Sequence, residues 1–453
     1  MPVAENNNYN SEVEISVIGA GFAGCEAAWQ LANAGLRVRL FEMKPKKFSP
    51  AHKYNGFAEL VCSNSFKASR VNSAAGLLKE EMRRLGSLTV PCAEETAVPA
   101  GGALAVDRTR FSDLVTKKIN AHPNIEIINE EVTEIPHGNV IIATGPLTSG
   151  GLAESISRLS GGYLSFYDAA APIVTFNSID MNKAFFAARY GRGTDDYINC
   201  PFTKEEYLSF YYEIINSESA PLHEFDRPQE LHNKNDDFTV YEGCMPIEVL
   251  AKRGEETMRY GAMKPVGLTD PSSGKRPYAV VQLRKENSAG TMYNIVGFQT
   301  NLKFGEQKRV FSLIPGLENA EFVRYGVMHR NSFLNSPKLL KSDFSLRSNG
   351  KIFFAGQITG VEGYMESAAS GILAGLNLAR HLSRKESLIL PPETMLGALS
   401  SYISDETVER FQPMGANMGI LPDIGERIKD KQQRYQIIAD RALFALDNAL
   451  KGS

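Results

Sequence analysis

VEISVIGAGFAGCEAAWQLANAGLRVRLFEM, residues 13–43, limits the possible folds more than any other stretch of the chain. It reads as strand, tight turn, helix and strand. The apolar run around Ile15 to Ile18 is the first strand. Gly19, Gly21 and Gly24 form GxGxxG with Ala20, Phe22 and Ala23 between them. The helix that follows closes at Gly35, and LRVRLFE alternates into a second strand ending at Glu42. Dinucleotide chemistry requires this order. The first glycine makes the turn, the second lets the backbone approach a pyrophosphate, and the third lets helix and strand pack closely. The helix N-terminus offers free N–H groups and the positive end of its dipole to the phosphates. Glu42, 23 residues after Gly19, is placed to accept hydrogen bonds from the adenosine ribose.

Two later stretches favour FAD over NAD. VIIATGP (140–146), with Gly145 in its turn, is a buried strand running into small residues. KIFFAGQITGVEGYMESAASGILAGLNLAR (351–380) is a strand, a Gly-rich turn from Gly356 to Gly363 that includes Gln357, and a long helix from about Glu366. Its turn can bring backbone N–H groups to the flavin side of the cofactor. One nucleotide-binding beginning and one such ending, more than 300 residues apart, imply an interrupted domain. The expected fold is α/β, a Rossmann-like FAD-binding domain of the two-dinucleotide type, interrupted by an inserted α+β domain. The flavin domain is expected over 13–162 and 335–453, the insertion over 163–334, and a disordered extension over 1–12.

The remaining sequence raises a question about thiols. Five cysteines (25, 62, 92, 200 and 244) form no CxxC pair, which suits a reducing cytosol and argues against zinc. The Asn-rich start has no signal-peptide pattern and no run is apolar enough to span a membrane, so the expectation is a cytoplasmic protein without metal. Cys25, Cys92 and Cys200 read as structural. Cys62 differs, because AELVCSNSFKAS surrounds it with small polar residues where a buried cysteine gains little. Cys244 lies between Gly243 and Met245-Pro246, ahead of a basic helix-like segment carrying Lys252, Arg253 and Arg259. Residues 245–341 hold 15 Lys/Arg against eight Asp/Glu, whereas residues 200–242 hold three against ten. A basic stretch in a chain of net charge -3 hints at a polyanionic partner. Lys264, Lys275, Arg276 and Arg284 are candidates for contact with such a polyanion. YNIVGFQTNLKF reads as two alternating strands.

FAELVCSNSFKA, VPAGGALAVDR, FYDAAAPIV, YEGCMPIEVLAKRG, GKRPYAVVQLR, RYGVMHRN, FFAGQITGVEGYMESAASG and FQPMGANMGILP follow one another in order. From residue 13 to the last helix they resemble the family of folate- and FAD-dependent tRNA (uracil-5-)-methyltransferases. That resemblance implies methylation of C5 of a T-loop uridine in tRNA, with methylenetetrahydrofolate as one-carbon donor and FAD reduced by NAD(P)H as reductant. It also implies that Cys62 and Cys244 are both catalytic and that the insertion 163–334 serves RNA and catalysis. With that chemistry Lys264, Lys275, Arg276 and Arg284 become candidates for RNA phosphates, Tyr364 for stacking on flavin or folate, and Arg108 and His329-Arg330 for a phosphate or a folate glutamate. Thiolate addition at uracil C6 would make C5 nucleophilic, and loss of the C5 proton needs a base. Cys244, on the basic insertion, is expected to be the C6 nucleophile and Cys62 the flavin-proximal base or auxiliary. The alternatives are the same chemistry on large-subunit ribosomal RNA, and an NAD(P)H-dependent flavin oxidoreductase of other purpose.

Overall fold

The structure is a computed structural model that describes residues 14–160, 163–191, 194–220, 245–285, 290, 292–408, 411, 413–426, 428 and 430–451, with only the backbone at residues 160, 163–170, 323–324 and 327–332. The expected N-terminal extension and Cys244 lie outside the described residues.

Two sheets dominate. In the first, the strands run Ser345–Leu346, Asn349–Phe354, Asn139–Ile142, Ile15–Ile18, Val38–Phe41 and Ile125–Ile128 from edge to edge. All pairs are parallel except the outermost, Ser345–Leu346 with Asn349–Phe354. The strand Ile15–Ile18 is buried at every position, as expected for a parallel strand covered on both faces. The helix Phe22–Asn33 follows it at once, and the helix Tyr364–Leu382 packs across that first helix. Close approach is possible because Gly371 and Gly375 carry no side chain. A Cβ at Gly371 would lie 2.1 Å from the carbonyl oxygen of Ala23, and one at Gly375 would lie 2.7 Å from that of Ala27. The same hydrophobic core takes in residues as far apart as Ile15 and Leu446.

The second sheet is antiparallel, in the order Phe185–Phe186, Ile198–Phe202, Ala279–Lys285, Met292–Ile295, Ile173–Thr175 and Phe322–Arg324. Val174, Val281, Leu283, Tyr293 and Ile295 form a separate core with Tyr207, Phe210 and Ile214. Those last three come from the helix Lys204–Ile215, which opens with a capping box between Thr203 and Glu206. A two-stranded antiparallel ribbon, Tyr163–Ala170 with Val327–Leu334, pairs Tyr163 with Leu334.

Local differences from the sequence expectation are informative. YNIVGFQTNLKF contains one strand, Met292–Ile295, rather than two. Gly297, at φ 79°, turns the chain out of the sheet, and Thr300 and Asn301 instead bond to the buried Glu248 at 2.8 and 2.7 Å. The long helix begins at Tyr364, two residues before Glu366.

Candidate active site

A cavity of about 410 Å³ opens at the C-terminal ends of the parallel strands, where open α/β sheets place their ligands. Gly19, Ala20, Gly21, Phe22 and Ala23 line one wall. Gly19 has φ 98°, and a Cβ there would meet the Ala143 carbonyl oxygen at 2.7 Å, so the turn requires glycine. Gly24 does not line the cavity; its missing Cβ would lie 1.7 Å from the carbonyl oxygen of Gly19. It is therefore the packing glycine of the three. At Gly21 a Cβ would meet no protein atom within 4 Å, so that position faces open space. No side chain caps the helix there, which leaves its N-terminus to a ligand.

Glu42 stands at the far end of this wall, nearly buried. Its Oε2 accepts from the Ala20 N–H at 2.9 Å and its Oε1 from the Lys44 N–H at 3.0 Å. Lys44 is itself buried and donates to the carbonyls of Tyr54 and Gly56 at 3.0 and 2.6 Å, which fixes the loop over this end. Gly145, Gly356 and Gln357 complete the opposite wall. The Gly356 N–H donates to Ser370 Oγ at 2.7 Å, and Gln357 donates to Glu362 at 3.2 Å.

Cys62 and Tyr364 meet at the remaining wall. The Cys62 N–H donates to the Tyr364 hydroxyl at 2.9 Å, and Cys62 Sγ lies 3.1 Å from the same oxygen. Burial pushes the Tyr364 hydroxyl well above the ordinary tyrosine range, and the neighbouring thiol adds to the shift. The Tyr364 ring packs against Phe22 at 4.9 Å and Phe66 at 6.1 Å. Arg108 lines the cavity and spends two of its donors on the loop: Nη1 bonds the Leu60 carbonyl and Nη2 the Cys62 carbonyl at 2.9 Å. The strand Ser65–Ala68, just beyond, is held by Lys79. That buried ammonium donates to the carbonyls of Phe66, Ala68 and Ala75 at 2.7, 2.9 and 2.8 Å, and burial pulls it down to about 8.

Cys25, Cys92 and Cys200 are fully buried, and burial raises all three thiols. Among the expected RNA contacts, Lys264, Lys275 and Arg276 are exposed. Arg284 is not one of them. It is 8% exposed and its guanidinium is bonded to Ser63 and Asn64, because its strand faces the Cys62 loop rather than solvent. Arg259 is likewise engaged, donating to the Tyr278 carbonyl at 2.9 Å and pairing with Glu256. The side chains of His329 and Arg330 lie outside the described residues. Sequence reasoning missed Asn64, Lys79 and the glycine pair Gly371 and Gly375. Only the pair had a legible signal, two glycines four apart on one helix face. Among the described residues no group of His, Cys, Asp or Glu could hold a metal ion, and no helix is long and apolar enough to cross a membrane.

Residues 14–386 match the family described as Glucose inhibited division protein A. The chain is 61% identical over 434 residues to the methylenetetrahydrofolate--tRNA-(uracil-5-)-methyltransferase TrmFO of Acetivibrio thermocellus, covering 95% of this chain and 97% of that one. It is 56% identical to the enzyme of the same name from Brevibacillus brevis, covering 97% and 98%. Among solved structures, GidA of Aquifex aeolicus superposes with a TM-score of 0.68 at 17% identity, covering 97% of this chain and 74% of that one, a likeness of fold. By the match of residues 14–386 and by near-full-length identity to these enzymes, the chain belongs to the Glucose inhibited division protein A family, among its TrmFO members.

Proposed function

We propose that the chain methylates C5 of a T-loop uridine in tRNA, taking the carbon from methylenetetrahydrofolate and the reducing electrons from FAD, itself reduced by NAD(P)H. The observation that carries this reading is the position of Cys62, on the wall of the same cavity that the glycine turn lines. The full-length similarity to enzymes named for this reaction supports it.

The residues present fit FAD. Gly21 leaves open the space that a Cβ would fill, at an uncapped helix N-terminus suited to a pyrophosphate. Glu42 stands just past the strand Val38–Phe41, where a ribose would lie. Bound there, FAD supplies the two electrons that take a carbon at the formaldehyde level to a methyl group.

The chain's own residues do the rest. The Cys244 thiolate adds to uracil C6, and the electron pair displaced from the C5–C6 double bond makes C5 nucleophilic toward the methylene carbon. Cys62 takes the C5 proton, and the electron pair left at C5 expels the folate nitrogen that carried the methylene. Once that carbon has been reduced to a methyl, the pair returning to C5 expels the Cys244 thiolate and restores the double bond. Tyr364 stays protonated throughout, since burial holds its hydroxyl far above neutral pH, and it keeps the Cys62 loop at the cavity wall. Residues 163–334 form an insertion that holds the RNA, with residues 13–162 and 335–453 as the flavin domain, in a cytoplasmic enzyme.

The test supplies labelled methylenetetrahydrofolate and NAD(P)H with unmodified tRNA or ribosomal RNA transcripts, and reads 5-methyluridine by mass spectrometry. Label in tRNA that disappears in Cys62→Ala and in Cys244→Ala is the expected result. Label confined to ribosomal RNA would keep the chemistry and replace the substrate. No label in either, from a flavin-loaded protein, would overturn the reading.

A further inference from the structure

The loop that carries Cys62 is fastened to the antiparallel sheet by a buried guanidinium. Arg284, on the strand Ala279–Lys285, donates from Nε to Asn64 Oδ1 at 3.1 Å and from Nη2 to Ser63 Oγ at 2.6 Å. Asn64 is fully buried and returns the contact, donating from Nδ2 to the Lys285 carbonyl at 2.7 Å and to the Val106 carbonyl at 3.1 Å. Both residues after Cys62 are thereby tied to a strand more than 200 positions away. The Ser63 hydroxyl and the Asn64 amide that accept from Arg284 are neutral. Taking a guanidinium out of water is costly unless an anion or a full set of acceptors offsets it, and among the described residues no carboxylate pairs with Arg284.

The groups that oppose the burial penalty on Arg284 are the Tyr197 hydroxyl, which hydrogen-bonds it, and the Cys62 thiol. Other elements also face Cys62. Tyr364 reaches it from the long helix, and Arg108 from the helix Arg108–Asn120 through the Cys62 carbonyl. Nearby, Lys67 is already paired with Glu366 at 2.8 Å. Arg284 is therefore a buried cation beside the Cys62 loop whose two acceptors there, the Ser63 hydroxyl and the Asn64 amide oxygen, carry no charge.

We propose that Arg284 is a positioning residue for Cys62: it pins Ser63 and Asn64 to the sheet of the proposed RNA-binding insertion and so sets a guanidinium next to the Cys62 loop, where it favours the thiolate. A cation beside a thiol lowers its pKa, and the thiolate is the reactive form. The proposal rests on reading Cys62 as a reacting thiol. It is tested without turnover, so that its failure is separate from a failure of the methylation reading.

The experiment alkylates the flavin-loaded protein with iodoacetamide across pH and follows the Cys62 peptide by mass spectrometry. Arg284→Met is expected to raise the alkylation midpoint by about one pH unit, slowing the reaction near pH 7 about tenfold. Arg284→Lys, which keeps the charge, is expected to stay within about threefold of the wild type, and bound flavin is expected to be unchanged in both. Ser63→Ala removes only the acceptor hydroxyl and is expected to shift the midpoint the same way by a smaller amount; it carries the test if Arg284→Met does not fold. A Cys62 profile unchanged in whichever of these two variants folds with its flavin overturns the proposal.

Discussion

At the scale of single residues, glycines of one motif do separable work. Gly21 and Gly24 are three positions apart, yet a methyl group at Gly24 would strike the Gly19 carbonyl whereas one at Gly21 would strike nothing in the protein. Gly21 also has φ -76°, which any residue adopts. Gly21→Ala is therefore expected to fold with at most about 1 kcal/mol lost at the helix cap. Its FAD affinity is expected to fall at least tenfold, about 1.4 kcal/mol, because the methyl occupies the space the cofactor needs. Flavin titration beside thermal melting checks this, and unchanged affinity would remove Gly21 from the cofactor site. This residue was legible from spacing alone, as was Glu42, because a strand, a turn and a helix encode the cradle locally. Arg284 was not legible. Its partners lie some 220 positions upstream, and nothing in QLRKEN distinguishes a buried arginine from one that meets phosphate.

At the scale of elements, stability depends on helices whose ends or faces are matched to single distant residues. Gly371 meets the Ala23 backbone, so Gly371→Ala must push two helices apart rather than rotate a side chain. Such overpacking costs roughly 1–3 kcal/mol, and here it also displaces the helix start that faces the cavity. Its stability and its flavin content are expected to fall together, unlike those of Gly21→Ala. Glu81, fully buried on the helix Ala74–Arg84, accepts from the first two N–H groups of the helix Met395–Ser404 at 2.7 and 2.9 Å, while Thr394 takes the third at 3.0 Å. Removing the carboxyl in Glu81→Ala leaves two buried donors unpaired and is expected to cost about 2–4 kcal/mol. Burial raises Glu81 from 4.5 to about 8. Its folded value lies above its unfolded one, so the folded chain binds that proton more tightly. Its contribution is present below pH 4.5 and is lost as pH rises toward 8. Urea midpoints of wild type minus Glu81→Gln are expected to decline across that window, and a flat difference would refute the assignment. Periodicity marked these helices, but the glutamate at one end of a 314-residue contact has no local signature.

At the scale of the whole molecule, the sequence expectation of an insertion over 163–334 rests on nucleotide-binding motifs at both ends of the chain, and the residues at its two bounds, Tyr163 and Leu334, pair in the ribbon. It did not indicate how the second sheet faces the first. Asn64 and Arg284 join the Cys62 loop to the second sheet, so the buried Arg284 side chain is not free to meet RNA. Lys264, Lys275 and Arg276 remain exposed on the same part of the chain. Each lysine or arginine that neutralises a phosphate releases counterion and contributes roughly one unit to the slope of log affinity against log salt. The triple Lys264→Ala, Lys275→Ala, Arg276→Ala variant is therefore expected to bind tRNA with a slope shallower by about two to three units. A single Arg284→Lys variant is expected to leave the slope where it was. Filter binding at several salt concentrations separates the outcomes. A slope that falls with Arg284 and not with the exposed three would mean that RNA enters between the Cys62 loop and the second sheet, and that the contact joining them opens when it binds.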